Sequence, residues 1–128
     1  DATGTAYHPN WVVRAPDWSY EAGLAAAAEL FNRCPTLDGV FGANDAFAAA
    51  AVTLAQEQGR NVPDDIGVVG FDNSRWATWT RPHLSTVAQP TETLGERMAD
   101  LVVRQLAGED LRGALITEPT RLVWRGSA

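Results

Sequence analysis

The sequence predicts an α/β fold in which helices cover a doubly wound, parallel sheet. Two runs, residues 39–42 and 66–71, are almost continuously apolar, as expected for strands buried on both faces. A third β-rich run lies at residues 11–14. Helix-like segments with short links separate the three runs, and this β-α-β-α-β order favours parallel strands.

The two helices between these strands carry local start and stop signals. The first is predicted at residues 19–32, with Ser19 as its N-cap. The second is predicted at residues 45–58 and ends before Gly59, a residue type that is common just beyond a helix C-terminus. Both helices have the length that a parallel crossover connection needs.

The second half of the chain is predicted to add shorter elements. They are one or two helical turns at 74–80, a strand at 84–89, a helix from about 91 to 107, and short strands at 115–117 and 121–124. Pro82 ends the first of these elements, because the residue before a proline avoids the helical conformation. Pro90 and Gly108 bound the long helix.

Composition limits the functions that the chain can have. Its 128 residues suffice for one domain with a sizeable core, and no apolar run is long enough to span a bilayer. The formal charge is −6, so we do not expect this segment to hold a phosphate backbone by itself. Cys34 is the only cysteine, which excludes an internal disulfide and a cysteine-based zinc site and fits a reducing cytoplasm. The chain lacks an initiator Met, and we expect it to be part of a longer protein.

Polar and aromatic side chains follow each of the three predicted parallel strands. In chain order they are Asp17-Trp18, Asn44-Asp45 and Asp72-Asn73. In open α/β sheets, ligands bind beyond the carboxyl ends of the strands, so these side chains should share one edge. A carboxylate such as Asp72 accepts hydrogen bonds from hydroxyls, an amide such as Asn44 donates and accepts, and an indole such as Trp18 covers the apolar face of a sugar or a base. The pattern indicates a binding site for a small polyhydroxylated molecule.

Each of these residues also has a purely structural interpretation. Asp45 is better explained as a cap or turn residue than as a ligand contact, and Asn44 fits either role equally well. Asp72 could begin a turn, and Trp18 could be a half-exposed lid on the core.

An enzyme is a second interpretation, in which Asp45 and Asp72 act as an acid–base pair in glycoside hydrolysis. The sequence shows no nucleophile–base pair, and His8 and His83 lie in predicted loops outside the three-strand edge. It also lacks the glycine-rich turn of dinucleotide-binding enzymes. We therefore assign no catalytic residue, no metal and no cofactor.

Three motifs give the chain a family resemblance. Residues 39–45 read GVFGAND, residues 62–73 read VPDDIGVVGFDN, and residues 84–90 read LSTVAQP. Together they resemble the bacterial transcription repressors of the lactose-repressor/galactose-repressor (LacI/GalR) type, over about residues 18–123. Periplasmic sugar-binding proteins of transport systems share this fold, and such a protein remains the alternative.

The resemblance implies a periplasmic-binding-protein-like sensor with two lobes and a small-molecule site in the cleft between them. By this resemblance Trp18 is a stacking wall, Asn44 and Asp72 bind hydroxyl or amide groups, and Gln89 contacts the ligand from a strand that crosses between lobes. Gln89 could equally be a strand end held by its backbone. A sugar is the expected ligand, and purines and other small metabolites fit the same chemistry.

The resemblance also implies a domain organisation for residues 1–128. Residues 11–85 and 115–125 would form most of the C-terminal lobe, and residues 86–107 would supply a crossover strand and helix of the N-terminal lobe. The DNA-binding domain, the first half of the sensor and a cleft arginine that many members carry have no counterpart here. DNA would be bound only through that missing domain, in a cytoplasmic protein with no membrane partner.

Two features indicate self-association. Regulators of this family are homodimers, and Trp76 and Trp79, flanked by arginines, suit an aromatic interface. The alternative is that one tryptophan belongs to the core and the other is exposed by chance. The predicted helix at 91–107 has an apolar stripe that would favour association if left uncovered, formed by Leu94, Met98, Leu101, Val102 and Leu106.

Overall fold

Helices and strands alternate along residues 8–128, the part of the chain that the computed structural model describes. A short 3-10 helix at Pro9–Trp11 precedes the other elements. The α-helices are α1 (Tyr20–Arg33), α2 (Asp45–Glu57), α3 (Trp76–Trp79) and α4 (Thr91–Leu106). The strands are β1 (Gly39–Phe41), β2 (Gly67–Asp72), β3 (Ser85–Ala88) and β4 (Arg121–Val123).

The strands form one sheet in the order β1-β2-β3-β4. The first three are parallel, with Val40 opposite Val68 and Gly70 opposite Thr86. The last is antiparallel to β3. The α/β class and the parallel arrangement of the central strands are confirmed, and the antiparallel fourth strand makes the sheet mixed.

Local capping explains where the two long crossover helices begin. The Ser19 hydroxyl accepts a hydrogen bond from the Ala22 N–H at the start of α1. The Asn44 side chain accepts one from the Phe47 N–H at the start of α2. Gly59, with φ of 76°, follows the end of α2 in the left-handed conformation that glycine adopts without strain. Both predicted helices are confirmed to within one residue at each end.

The core lies between α2 and one face of the sheet. The buried face of α2 is rich in alanine, and it packs on Ile66 and Val68, which are fully buried. Small side chains bring the helix close to the strands: a Cβ on Gly42 would collide with Ala48, and a Cβ on Gly70 would collide with Asp45 and Leu84. Helix α1 covers α2 from outside and contributes Phe31 to the same cluster. This packing fixes the start of α2 against the ends of β1 and β2.

The strand predicted at residues 11–14 is wrong. Trp11 belongs to the 3-10 helix, and Val12 has extended angles (φ −120°, ψ 124°) but pairs with no strand within residues 8–128. An apolar groove of about 490 Å³ is lined by residues 11–13 on one side and by β1 on another. Strand formation requires a neighbouring backbone, and local sequence cannot report whether one is present. The strand predicted at residues 115–117 is also wrong, because that segment is irregular.

Residues 85–88 correct the predicted lobe boundary. They form β3, which pairs with both β2 and β4, so they belong to this sheet and not to a second lobe. The chain leaves the sheet only at Gln89-Pro90, before α4, and none of the residues of α4 is buried. Within residues 8–128, no helix has the length and apolarity to cross a bilayer.

Candidate functional site

The parallel strands bring three of the predicted site residues to one edge of the sheet. Phe41 pairs with Val69, so Asn44 and Asp72 each lie three residues beyond paired positions. Asp72 itself is opposite Ala88, and Gln89 is the next residue after it. The edge predicted from the sequence therefore exists, even though the strand expected at residues 11–14 does not.

Trp18 forms an exposed aromatic platform at this edge. Its ring lies parallel to that of Phe47, with centroids 5.8 Å apart and an interplanar angle of 9°. The residue is 69% exposed, so it is not a lid on the core. The Asn44 amide donates to the Trp18 carbonyl oxygen at 3.1 Å and thereby ties the loop before α1 to the start of α2.

Asp72 and Gln89 are in direct contact. The Gln89 Nε2 donates to the Asp72 Oδ1 at 2.6 Å. Asp72 ends β2 with φ of 109°, and Asn73 follows with φ of 58°, so the chain turns sharply at the edge. The interpretation that Asp72 begins a turn agrees with this geometry, and the ligand contact expected of Gln89 stays a prediction.

Asp45 has a buried, structural position. It is fully buried, and its carboxylate accepts hydrogen bonds from the Thr86 Oγ1 at 2.5 Å and from the Ser74 N–H at 2.6 Å. Since both oxygens are engaged inside the protein, Asp45 cannot share a substrate with Asp72 as an acid–base pair. The structural interpretation of Asp45 accounts for its contacts.

A second polar contact reaches the same turn from the end of the chain. The Arg125 Nη2 donates to the Asn73 Oδ1 at 2.7 Å, and its Nη1 donates to the Leu84 carbonyl oxygen at 2.8 Å. Neither Arg125 nor Thr86 was among the residues expected at the site. No local signal could have indicated either contact, because the paired residues are 52 and 41 positions apart in the chain.

Asp17 lies next to the platform and is held by its own loop. The Ser19 hydroxyl and N–H both donate to the Asp17 Oδ1, at 2.5 and 2.8 Å. The hydrogen bond from the Ser19 hydroxyl, and to a smaller extent that from its N–H, hold the pKa of the exposed Asp17 carboxyl below its ordinary value. A cavity of about 300 Å³ beside Trp18 is lined by Asp17 and Arg14, among other residues. Asp17 and Arg14 therefore place charged groups beside the Trp18 platform.

The two tryptophans of α3 have different surroundings. Trp76 stacks on Tyr20 with centroids 5.0 Å apart and an interplanar angle of 6°, so its ring is engaged within the chain. Trp79 is 60% exposed, and the Arg75 guanidinium lies 5.5 Å from its ring centroid. Of the two, Trp79 therefore has more exposed side-chain surface available for contact with a partner.

The side chains of His83 and Cys34 contact different parts of the protein and do not form a common reactive site. His83 contacts the Arg81 guanidinium. Cys34 is the C-cap residue of α1, and its Sγ lies 3.7 Å from the Asn10 carbonyl oxygen. Within the part of the chain described, no group of three acidic, histidine or cysteine side chains is placed to hold a metal ion.

Comparison with known proteins gives one consistent result. Residues 3–128 match a family described as the periplasmic binding protein-like domain. The HTH-type transcriptional regulator CelR of Thermobifida fusca is 41% identical over 122 residues, which are 95% of this chain and 34% of that protein. The chain thus spans about a third of the length of the curated relatives it matches.

Solved structures agree with this result. A complex of the transcriptional regulator CelR with cellobiose has a TM-score of 0.88 and 38% identity, covering 99% of this chain and 38% of that one. A LacI family regulator from Arthrobacter sp. FB24 in complex with lactose has a TM-score of 0.77 and 32% identity, covering 87% of this chain and 42% of that one.

Proposed function

Because the chain belongs to the periplasmic binding protein-like domain family, we propose that it is the ligand-sensing part of a LacI/GalR-type transcription repressor. It binds a small sugar at the carboxyl edge of its sheet and performs no reaction on it. The observation that carries the proposal is the meeting of an exposed aromatic platform, Trp18 on Phe47, with polar side chains from the ends of two neighbouring strands.

The contacts at the edge suit a sugar ring. One face of Trp18 is occupied by Phe47, and the other face is free to cover the apolar C–H face of a sugar. Asp72 uses Oδ1 to accept from Gln89, which leaves Oδ2 to accept from ligand hydroxyls. Asn44 has one remaining amide hydrogen and one remaining lone pair after its two protein contacts.

Cellobiose is the first ligand to test, because the CelR complex contains it and CelR is the relative with 41% identity. Two β-linked glucose rings also fit the arrangement, since the cavity bordered by Arg14 and Asp17 extends the surface beside Trp18. Lactose and purines are the comparison ligands.

The proposal assigns the response to the whole protein. Sugar binding favours one arrangement of the two lobes, and this changes the spacing of DNA-binding domains carried by two copies of a cytoplasmic homodimer. With a net charge of −6, the present segment leaves DNA contact to another part of the protein. The relatives' names favour this role over that of a transport protein.

Isothermal titration calorimetry of the protein with cellobiose tests the proposal. Trp18→Ala and Asp72→Asn should each weaken binding by about fivefold or more, because stacking and charged hydrogen bonds each contribute about 1 kcal/mol. Trp124→Ala is the matched control, since Trp124 is 66% exposed and lies away from the edge.

Heat of binding with a purine but not with either disaccharide would move the assignment to another effector. Equal affinity in the Trp18, Asp72 and Trp124 variants would exclude this edge as the site.

A further inference from the structure

Asp72 sits at the start of a strained turn. Its φ of 109° and the φ of 58° at Asn73 are both in the range that L-residues with side chains rarely adopt. Such conformations persist only when surrounding contacts over-determine them. The contacts that hold this turn therefore decide where the Asp72 carboxylate points.

The first set of contacts comes from beneath the turn. Asp45 is fully buried, and one of its oxygens accepts from the N–H of Ser74, the residue that follows the strained pair. The other oxygen accepts from Thr86 Oγ1 on β3. A buried carboxylate that is fixed at both oxygens has no freedom to shift, so the Ser74 amide is held in place relative to the sheet.

The second set comes from the side. Arg125 donates to Asn73 Oδ1 and to the Leu84 carbonyl oxygen, while its own N–H donates to Ser85 Oγ. Arg125 thus joins the turn to the residues at the start of β3. The turn is held on two sides by groups that come from elsewhere in the chain.

We propose that Asp45 and Arg125 are positioning residues: together they hold the Asp72-Asn73 turn in its left-handed conformation and so aim the Asp72 carboxylate at the ligand. The affinity part of this inference rests on the proposed function, in which Asp72 binds sugar. The structural part, that the turn depends on the two clamps, stands separately. Neither residue touches the ligand in this account.

Two pairs of variants separate positioning from general stability. Thr86→Val keeps the shape of the side chain but removes the hydroxyl that donates to Asp45 and accepts from the Asn73 N–H at 3.4 Å, and Thr86→Ser restores it. Arg125→Ala removes the second clamp, and Arg112→Ala is its control, because Arg112 is exposed, pairs with Asp110 and loses the same charge. These variants avoid removing the buried Asp45 carboxylate itself, which would threaten folding.

Two measurements are made on each variant. Calorimetry gives the dissociation constant for cellobiose, and NMR amide exchange gives the protection of the Ser74 N–H, with the core Val52 N–H as the reference for global stability. Thr86→Val and Arg125→Ala should weaken cellobiose binding by about tenfold, as loss of supporting hydrogen bonds does around other binding sites. They should also speed exchange at Ser74 by about tenfold or more while the Val52 rate stays unchanged. Thr86→Ser and Arg112→Ala should resemble the wild type.

The proposal is overturned if Ser74 exchange does not change in either variant, or if it rises while cellobiose affinity stays the same. Parallel increases at Ser74 and Val52 would also overturn it, because they indicate loss of stability and not of the turn. If the wild-type protein does not bind cellobiose, the assignment of that ligand fails, and exchange at Ser74 alone decides whether the two clamps hold the turn.

Discussion

Asn44 uses both ends of its side-chain amide within the protein. Its oxygen caps α2 by accepting from the Phe47 N–H at 2.7 Å, and its nitrogen donates to the Trp18 carbonyl oxygen at 3.1 Å. One residue therefore links the stability of a helix to the position of the aromatic platform. The sequence left the choice between cap and ligand contact open, and the structure establishes the cap.

Two substitutions at Asn44 should separate these roles. Asn44→Ala should lower the free energy of unfolding by about 1 kcal/mol, because the cap is lost. Asn44→Asp keeps an oxygen for the Phe47 N–H but loses the donor to Trp18, so it should stay close to wild-type stability and still weaken cellobiose binding. Urea denaturation and calorimetry measure the two effects. Equal loss of stability in both variants would contradict this division.

At the scale of elements, the predictions were correct where the residues that determine an element lie within that element. The long helices and β2 were located because caps, stop signals and apolar runs lie within the segments that they define. The strands predicted at 11–14 and 115–117 are absent, because a strand exists only beside a second backbone and a short β-rich run does not show whether that backbone is present. Residues 86–88 were placed in the wrong lobe for the same reason, since pairing decides the sheet to which a strand belongs.

Helix α4 presents an apolar face that nothing within residues 8–128 covers. Met98 is 65% exposed and Val102 is 56% exposed, and none of the helix is buried. We expect the 128-residue chain to self-associate through this face. The double substitution Met98→Gln and Val102→Gln should lower the apparent mass in concentration-dependent light scattering. Glu92→Gln with Glu96→Gln is the control on the same helix, and a wild-type chain that stays monomeric at high concentration would contradict the expectation.

At the scale of the whole molecule, the sequence predicted the edge where the site lies but not the contacts that hold it. Trp18, Asn44 and Asp72 could be grouped because each follows a predicted strand, and parallel strands end together. Gln89 was added by the family resemblance. The link from Asp45 to Thr86 and that from Asn73 to Arg125 join residues far apart in the chain. Such pairs depend on how strands are ordered and registered, which single-sequence patterns do not contain.

The two tryptophans of α3 should respond differently to truncation. Trp79→Ala should weaken the dimer proposed for the intact protein with little effect on folding, because that side chain is 60% exposed. Trp76→Ala should instead lower the free energy of unfolding, since it removes the ring stacked on Tyr20. Sedimentation velocity and thermal unfolding distinguish the two. An unchanged sedimentation profile for Trp79→Ala would exclude it from the interface.

The close packing around Gly70 predicts a phenotype for substitutions at this position. A Cβ at this position would collide with Asp45 Oδ1, so any side chain there displaces the carboxylate beneath the Asp72-Asn73 turn. Under the proposed function, and with the sugar acting as an inducer, a selection for repressor alleles that stay bound to their operator in the presence of the sugar should therefore recover Gly70 substitutions alongside those at Asp72. Among such alleles, substitutions at Gly70, which does not contact the sugar, would have the same phenotype as substitutions at Asp72, which does.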